Sequence, residues 1–521
     1  MNRKRQVAVE RALLIALCLM FPAGAATAQT VVRSFDGDSG PGLTACLAGV
    51  THCDRPEMDV AVNGRQIVQV TWQNVRIYDY SGHLLQSMPM STLIRNAGLN
   101  PVPPKQQGPY EPHVVYNEFI NRWIVTVTGL NDCLLVSASS DAAGSWGGVY
   151  LSCLQGGPCL DSDASIHVGY DKNGLYECAA HAGDDNRHTA PGYSYDCFAV
   201  PPAEVEAIGQ GNAPTHINRI HNMPLDLIPA IDHNRTKAAH APALFVARTC
   251  DRATPGGCQN STNFPFRWIV DTFTWNGTTG TYNIGGEQAV RTGIGSTQDK
   301  WLYNKPCCGA TGSIPQAGNE TILLRATESH RLVNLVQYGS HLHGVLGSGP
   351  CIGSCGSQGA DTNNLMFWVD LDCSNPTACV VSQTAKISGA DFNPEFATVG
   401  VDAAGNVGIV AESATASTDL SLLLWTHGTA DPANTFNGPT TIVSGTQPFT
   451  CLNTRNFASI ANAAGVLTAL DPADGTKLWT TQQWANDAAR CVWNTRIVEY
   501  QIAPAQANRP RQSKPKRGEK P

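Results

Sequence analysis

The chain has 521 residues, of which 42% are apolar and only 15% are charged, with 35 Lys and Arg against 42 Asp and Glu. This composition excludes a disordered or supercharged protein, and 49 Gly and 32 Pro are far fewer than in collagen-like or low-complexity chains. We therefore expect a folded protein with many turns. Length does not fix the number of domains, because closed all-β architectures grow large as single domains.

The N-terminus has the features of an export signal. Arg3, Lys4 and Arg5 precede an apolar run over 12–21, and a small-residue cleavage pattern ends at Ala28. We assign residues 1–28 to a signal peptide and predict a secreted or periplasmic protein. No later segment approaches the roughly 18 apolar residues of a membrane helix, so no membrane span is predicted.

The C-terminus is basic and interrupted by prolines. The segment RPRQSKPKRGEKP has no apolar residues, which predicts a disordered tail over 505–521, either solvated or acting as an electrostatic tether to an anionic surface. Because the signal and the tail are both basic, the remaining body is more acidic than the net charge of −7 indicates. An acidic body argues against a nucleic-acid partner.

Eighteen cysteines occur, and those of the exported chain should be mostly paired. Close spacing predicts six disulfides: Cys46/Cys53, Cys153/Cys159, Cys178/Cys197, Cys250/Cys258, Cys351/Cys355 and Cys373/Cys379. Cys451 and Cys491 are a further candidate pair, while adjacent Cys307 and Cys308 either bond to each other or pair elsewhere. Cys133 lies in an apolar run, which predicts a buried, inert thiol. The pattern His341-x-His343 before Cys351 is also compatible with zinc, although a disulfide is the simpler interpretation.

Internal repeats are the informative feature of the chain. The segment HVGYDKNGLY from His167 recurs as TVGVDAAGNV from Thr398, and both combine alternating apolar residues with a turn, a pattern typical of a β-hairpin. Weaker copies and two further strand-rich units begin at Asp59, His113, Ala241, Glu320 and Ser459. Seven units result.

Seven strand-rich units with almost no helical periodicity predict an all-β fold, a single seven-bladed β-propeller with disulfide-stapled loops over 54–504. Residues 29–53 form a lead-in in this interpretation, and the strand TRIVEYQI near the C-terminus closes the ring. A pair of β-sandwiches or a β-helix is the alternative. Trp72, Trp123, Trp146, Trp268, Trp425 and Trp479 are expected to pack between blades, or to stack on sugars if they reach the mouth.

Four parts of the sequence carry a resemblance to a known family: the segment from Asp54 to Leu85, EPHVVYNEFINRWIV from Glu111, NPEFATVGVDAAGNVGI from Asn393 and ALDPADGTKLWTTQQW near the C-terminus. In these segments the chain resembles a large, uncharacterised group of bacterial secreted β-propellers. The resemblance implies fold and export, but no chemistry, because propellers have many functions. Where the family has an Arg-Trp-Gly-Asp-Tyr run, this chain has RNFAS from Arg455. The Asp of the family run has no counterpart here, so any role of that Asp cannot be carried over to this chain.

Aligned by their turns, the units place Asp59, His113, His167 and Thr398 at corresponding positions, and His240 precedes the fourth unit. Imidazoles at one mouth of the channel would suit a divalent metal ion, with His113, His167 and His240 as candidate ligands, or acid–base catalysis. The alternative is that each His only hydrogen-bonds within the channel. The candidate catalytic residues are His113, His167, Tyr170, Glu111, Glu395 and Arg455.

Two functions remain open from the sequence. The first is a non-catalytic, monomeric propeller that binds an extracellular polysaccharide or a surface protein. The second is a polysaccharide-active enzyme, either a lyase or a glycosidase. A lyase would use Arg455 or a metal to neutralise the uronate, His113 or His167 as the base, and Tyr170 as the acid. A glycosidase would use the two carboxylates of Glu111 and Glu395. No nucleophile elbow, phosphate loop, dinucleotide fingerprint or haem-attachment motif occurs, and a divalent metal is the only cofactor considered.

Overall fold

The computed structural model describes residues 29–40, 57–99, 110–128, 132–151, 162–181, 194–223, 227–248, 267–285, 287–289, 313–317, 324–326, 332–348, 364–448, 458–460, 467–484 and 493–502. Over these residues the protein is a ring of seven antiparallel blades with two short helices. The predicted seven-bladed propeller is therefore confirmed.

The chain begins with β1 (Gln29–Gly40) and then builds the first three blades in sequence order. Blade 1 contains β2 (Asp59–Val62), β3 (Gln66–Val70), β4 (Asn74–Asp79) and β5 (Leu84–Pro89), followed by α1 (Met90–Asn96). Blade 2 contains β6 (Tyr110–Asn117), β7 (Arg122–Thr128), β8 (Cys133–Ser137) and β9 (Trp146–Tyr150). Blade 3 contains β10 (Ser162–Asp171), β11 (Gly174–His181), β12 (Ser194–Val200) and, after α2 (Pro202–Gly209), β13 (Asn218–Met223).

The other four blades follow, with short additional strands. Blade 4 is formed by β14 (Ile228–Pro229), β16 (Ala243–Arg248), β17 (Arg267–Asn276), β18 (Thr279–Asn283) and β19 (Glu287–Ala289). Blade 5 is formed by β15 (Ile231–Asp232), β22 (Leu332–Tyr338), β23 (His341–Ser348), β24 (Leu365–Asp372) and β25 (Val380–Ile387). Blade 6 contains β26 (Pro394–Val401), β27 (Val407–Thr415), β28 (Thr418–His427) and β29 (Asn437–Val443). Blade 7 contains β31 (Ala469–Leu470), β32 (Lys477–Trp484) and β33 (Trp493–Ile502), and a separate small sheet joins β20 (Ser313–Ile314), β21 (Leu324–Ala326) and β30 (Ala458–Ile460).

The N-terminal strand closes the ring. Strand β1 pairs antiparallel with β33 from Gln29 opposite Ile502 to Gly40 opposite Trp493, so blade 7 combines both ends of the described chain. Residues 29–40, which the sequence analysis placed in a lead-in, therefore form the outer strand of a blade. Phe35 of this strand packs against Tyr78 of blade 1, with ring centroids 5.3 Å apart.

The units at Ala241, Glu320 and Ser459 were assigned incorrectly as blade starts. Ser459 lies in β30 of the small sheet, whereas the first described strand of blade 7 is β31. The apolar run after Ala241 forms β16, the second strand of blade 4, whose first strand is only Ile228–Pro229. The described end of the unit at Glu320 forms β21 in the small sheet, and the first hairpin of blade 5 begins with β22. A two-residue first strand shows no alternating pattern, which is why the sequence did not reveal it.

Hydrophobic clusters fill each interface between neighbouring blades. Trp123, Trp268, Trp425 and Trp479 are fully buried in these clusters, so the prediction that they pack between blades is confirmed. The first strands of successive blades contact one another around the whole ring, which places them at the central channel. Among the described residues, no helix is long and apolar enough to cross a bilayer.

Two of the six predicted disulfides fall within the described residues, and both form: Cys178–Cys197 and Cys373–Cys379. The other four predicted pairs, together with Cys307, Cys308, Cys451 and Cys491, lie outside the described residues, as do the signal peptide and the basic tail. Cys133 is buried, as predicted, and burial raises the pKa of its thiol far above the usual range.

Candidate functional site

The turns that join the first and second strands of the blades all lie at one end of the channel, and we call them the first-hairpin turns. Six of them start with an Asn or Asp whose side-chain oxygen accepts the backbone N–H two residues later. These residues are Asn63, Asn117, Asp171, Asp232, Asp402 and Asp471. The hydrogen bond stabilises the conformation of each turn locally.

His113 and His167 lie in the first strands of blades 2 and 3. Their ring centroids are 6.5 Å apart, so corresponding positions in the repeats are adjacent around the channel axis. Both side chains are buried rather than partly exposed.

Asp59 holds His113 in place. Asp59 Oδ2 lies 3.3 Å from His113 Nδ1 and accepts the Val114 N–H, while Oδ1 accepts the Leu467 N–H, so one carboxylate joins blades 1, 2 and 7. Burial raises the pKa of Asp59, although the hydrogen bond and charge of His113 oppose this. The Nε2 atom of His113 is buried and has no hydrogen-bond partner among the described residues.

Thr398 occupies the corresponding position in blade 6. Its hydroxyl lies 3.1 Å from that of Thr468, and it contacts Asn334, which bonds to both backbone groups of Val399. This polar set connects blades 5, 6 and 7 much as Asp59 connects blades 7, 1 and 2. Buried polar contacts therefore connect neighbouring blades along the channel.

The other candidate ligands and carboxylates do not join the histidine pair in one cluster. His240 is exposed, and its Nδ1 lies 3.0 Å from the Trp275 carbonyl oxygen, because the strand it precedes is the second of blade 4. The described residues contain no group of three His, Cys, Asp or Glu that would hold a metal ion, so the structure does not support the three-histidine metal site. Arg455 lies outside the described residues.

Glu111 and Glu395 are buried and separately engaged. Glu111 donates its backbone N–H to Glu57 Oε2 at 2.9 Å, and the carboxylate of Glu395 accepts a hydrogen bond from Asn364 Nδ2. His341, of the zinc-like pattern, lies 2.8 Å from Asp370 Oδ1, and His343 stacks on Trp368, while the cysteines of that pattern lie outside the described residues.

Tyr170 lies at the turn end of its strand, directly before Asp171. Its hydroxyl donates a hydrogen bond of 2.8 Å to Glu118 Oε2, and His233 Nδ1 lies 2.8 Å from Glu118 Oε1. Tyr170 therefore contacts Glu118 and His233, whereas the lyase hypothesis paired it with the channel histidines. Burial and the neighbouring Glu118 carboxylate raise the pKa of Tyr170.

Glu118 and His233 form an ion pair at this place. Burial opposes the charge on both groups, but the Glu118 carboxylate outweighs it and raises the pKa of His233, and His233 in turn lowers the pKa of Glu118. The carboxylate and the imidazolium therefore coexist from mildly acidic pH to above the usual His value of 6.5.

A cavity of about 600 Å³ opens among the first-hairpin turns, and we call it the mouth cavity. Its wall is formed by Glu118, by 232–236, by 336–339, by 401–403, by 470–472 and by Gly475. The turns of blades 2, 4, 5, 6 and 7 thus converge on one space. Its volume falls in the usual range of small-molecule sites, about 300 to 1,000 Å³.

Some charged side chains of the mouth cavity have polar partners and others have none among the described residues. Asp402 and Asp471 accept hydrogen bonds from the backbone of their own turns, and Asp232 forms an ion pair with Lys237 at 3.0 Å. Arg235, by contrast, is exposed and makes no hydrogen bond or ion pair with any described residue. Tyr338 is 39% exposed, and its hydroxyl donates to the Ala403 carbonyl oxygen at 3.2 Å.

Sequence reasoning did not identify Glu118, His233, Arg235 or Tyr338 as site residues. It searched the beginnings of the first strands, whereas the mouth cavity is formed where those strands end. The available signal was the Asn or Asp at the start of each hairpin turn, because residues directly after it line the mouth.

Comparisons with known proteins show what the fold is similar to. No family model and no curated protein sequence matches the chain.

Several solved structures are similar to this chain. One is an ulvan lyase of a polysaccharide lyase family bound to -[GlcA(1-4)Rha3S]-. It is 10% identical to this chain, with a TM-score of 0.36 over 72% of this chain and 80% of that one. The WD40 domain of SCAP from fission yeast matches at 6% identity and a TM-score of 0.33 over 90% and 98% of the two chains. An endo-arabinase from Bacteroides thetaiotaomicron matches at 11% identity and 0.29 over 65% and 95%. Similarity at this level concerns the propeller fold alone.

Proposed function

We propose that this protein is an exported propeller that binds a carbohydrate chain in the mouth cavity. The observation that carries the proposal is the exposed Tyr338 ring on a wall that also contains the unengaged Arg235 side chain. A sugar ring has an apolar C–H face and a rim of hydroxyls, so it needs an aromatic surface and polar groups together. The mouth cavity offers both.

The polar wall supplies hydrogen-bond donors and acceptors. Arg235 is a donor with several N–H groups, and the His233 imidazole is partly accessible, with 20% of its side chain exposed. Backbone groups and carboxylates of the turns are acceptors. Because the turns are fixed by their Asn and Asp caps, little conformational entropy is lost on binding.

Export is supported by two features. The sequence predicts a signal peptide, and both predicted disulfides within the described residues form. Structural disulfides persist in oxidising compartments. An extracellular or periplasmic location would give the protein access to polysaccharides.

The binding test uses affinity electrophoresis and calorimetry against neutral, uronate-containing and sulfated polysaccharides. For a polysaccharide that binds, Tyr338→Ala should weaken affinity about tenfold or more, because the stacking surface is lost. The matched control is Tyr338→Phe, which retains the ring and loses only the hydrogen bond to Ala403. Equal affinity of wild type and Tyr338→Ala would place binding elsewhere.

A second candidate function is polysaccharide cleavage in the same cavity, which the contacts of Glu118 with Tyr170 and His233 favour. A carboxylate and an imidazolium at one wall are the two protonation states that general base and general acid catalysis require. A lyase would remove the C5 proton of a uronate and protonate the leaving oxygen, which gives an unsaturated sugar.

Ultraviolet absorbance after incubation with uronate polymers detects that product, and reducing-end assays detect hydrolysis. If cleavage occurs in the mouth cavity, Glu118→Gln should abolish turnover. If the channel histidines catalyse the reaction instead, His113→Ala and His167→Ala should reduce turnover. No new product from any polymer would leave binding as the function.

A further inference from the structure

Two buried carboxyl groups face each other in blade 6. Glu395 of β26 is the cross-strand partner of Glu412 of β27, and both side chains are about 1% exposed. Directly opposed residues in an antiparallel pair have Cβ atoms about 5 Å apart. Like charges at this separation are unfavourable unless a proton or a cation lies between them.

The carboxyl of Glu412 is only partly engaged. Its Oε1 accepts the Gln483 N–H at 2.9 Å, but its buried Oε2 has no hydrogen-bond partner among the residues that the structure describes. No Lys or Arg among the described residues forms an ion pair with Glu412.

Strand β32 of blade 7 also presents oxygen atoms to its interface with blade 6. Leu478 of β32 packs against Val410 of β27, so Thr480 and Gln482, which share the face of Leu478, point toward blade 6. Glu412 shares the face of Val410 and points toward blade 7. The Thr480 hydroxyl and Gln482 Oε1 are fully buried and have no hydrogen-bond partner in the described part of the chain.

Gln482 also fixes the position of this group. Its Nε2 lies 3.5 Å from the carbonyl oxygen of Phe396, the residue that follows Glu395. The Gln482 side chain therefore reaches the beginning of β26. Oxygen atoms of blades 6 and 7 therefore face the same interface, and three of them lack a hydrogen-bond partner among the described residues.

We propose that Glu395, Glu412 and Gln482 bind a calcium ion between blades 6 and 7, with Thr480 as a further oxygen ligand. All these donors are oxygen atoms, which favours a hard cation over zinc or copper. Calcium is preferred to magnesium because it accepts irregular sets of six to eight oxygens, including amide and backbone oxygens, whereas magnesium requires near-octahedral geometry.

The ion would couple the last two blades beside the strand pair that closes the ring. Its effect is therefore on stability, and it requires no carbohydrate. Extracellular calcium-binding modules bind calcium with dissociation constants of about 0.1 to 1 mM. A periplasmic or secreted protein would encounter calcium concentrations in this range.

The experiment uses the full mature chain, freed of metal with a chelator and dialysed against about 1 mM CaCl₂. Elemental analysis should find one calcium ion per chain, and CaCl₂ should raise the Tm by a few degrees, because the ion binds only the folded state. Glu412→Gln and Gln482→Leu should each lose the bound ion and the Tm response. Glu177→Gln is the matched control, since Glu177 is an equally buried carboxyl in blade 3, and it should retain both.

Wild-type protein without bound calcium and without a Tm response would overturn the proposal, and would indicate that the space holds only water or a shared proton. Calcium retained by Glu412→Gln but lost by Glu177→Gln would place the site elsewhere and would also overturn it. If Glu412→Gln does not fold, Gln482→Leu and the metal content of the wild type decide. Carbohydrate binding is measured separately, so failure here leaves the mouth cavity proposal intact.

Discussion

Replacing Lys237 with Met should destabilise the turns around the mouth cavity. The Lys237 ammonium lies 2.8 Å from Asp171 Oδ2 and 3.0 Å from Asp232 Oδ2, and all three side chains are at most 4% exposed. Lys237→Met keeps the aliphatic stem and leaves two buried carboxylates without a counter charge. Removing one partner of a buried ion pair costs about 3 to 5 kcal/mol, so we expect a loss of about 4 kcal/mol in the free energy of unfolding.

The pH dependence of this loss provides an internal check. Burial raises the pKa of Asp171 even with Lys237 present, and removing Lys237 raises it further. The difference between wild type and variant should therefore be largest at neutral pH and shrink as the pH falls, because protonation relieves the unpaired charge. Since the pKa of Lys237 is itself raised by the two carboxylates, its contribution is complete at pH 7.

Urea unfolding followed by tryptophan fluorescence measures the difference at pH 7 and pH 5, and Lys172→Met is the control because Lys172 is exposed beside Asp171. A change below about 1 kcal/mol for Lys237→Met, or a change equal to that of Lys172→Met, would refute the ion-pair reasoning. A large loss that does not shrink at acidic pH would also contradict it. Because Asp232 lines the mouth cavity, the same variant should weaken carbohydrate binding.

Three further predictions concern other parts of the ring. Burial lowers the pKa of His343 to about 4 from 6.5, so the unfolded chain binds the proton more readily and wild-type stability should fall by up to about 3 kcal/mol between pH 6.5 and 4. His343→Phe should show a smaller fall in urea titrations over that range, since its ring still stacks without a titrating group. Deletion of residues 29–40 should expose the edge of β33, seen as faster hydrogen exchange in that strand; unchanged exchange would argue against ring closure by β1. Replacing Cys178 and Cys197 with Ala should lower stability by about 3 kcal/mol, because the disulfide closes a 19-residue separation, and no change in urea midpoint would contradict this.

The fold was predictable because its signals are local and repeated. Alternating apolar residues followed by an Asn or Asp turn occur in most blades, and each such turn closes a first hairpin. The count of seven was correct, but the starts of blades 4, 5 and 7 were assigned to the wrong strands. Blade 4 starts with the two residues Ile228 and Pro229, which are too few to produce a periodic pattern.

The adjacency of His113 and His167 was also predictable, because corresponding positions in a propeller are neighbours around the axis. Their burial was not, since it depends on the contacts of Asp59 with three blades. The mouth cavity could not be derived from any single repeat. It brings together Glu118 of blade 2 and Tyr338 of blade 5, which are far apart in the chain and adjoin the same cavity only in the closed ring.

The most direct test of the proposed function is a crystal structure of the protein with an oligosaccharide of a polysaccharide that it binds. We expect a sugar ring stacked on Tyr338 in the mouth cavity, with Arg235 or His233 hydrogen-bonded to its substituents. Sugar bound at the opposite mouth or on the outer strands, with the mouth cavity empty, would contradict the account.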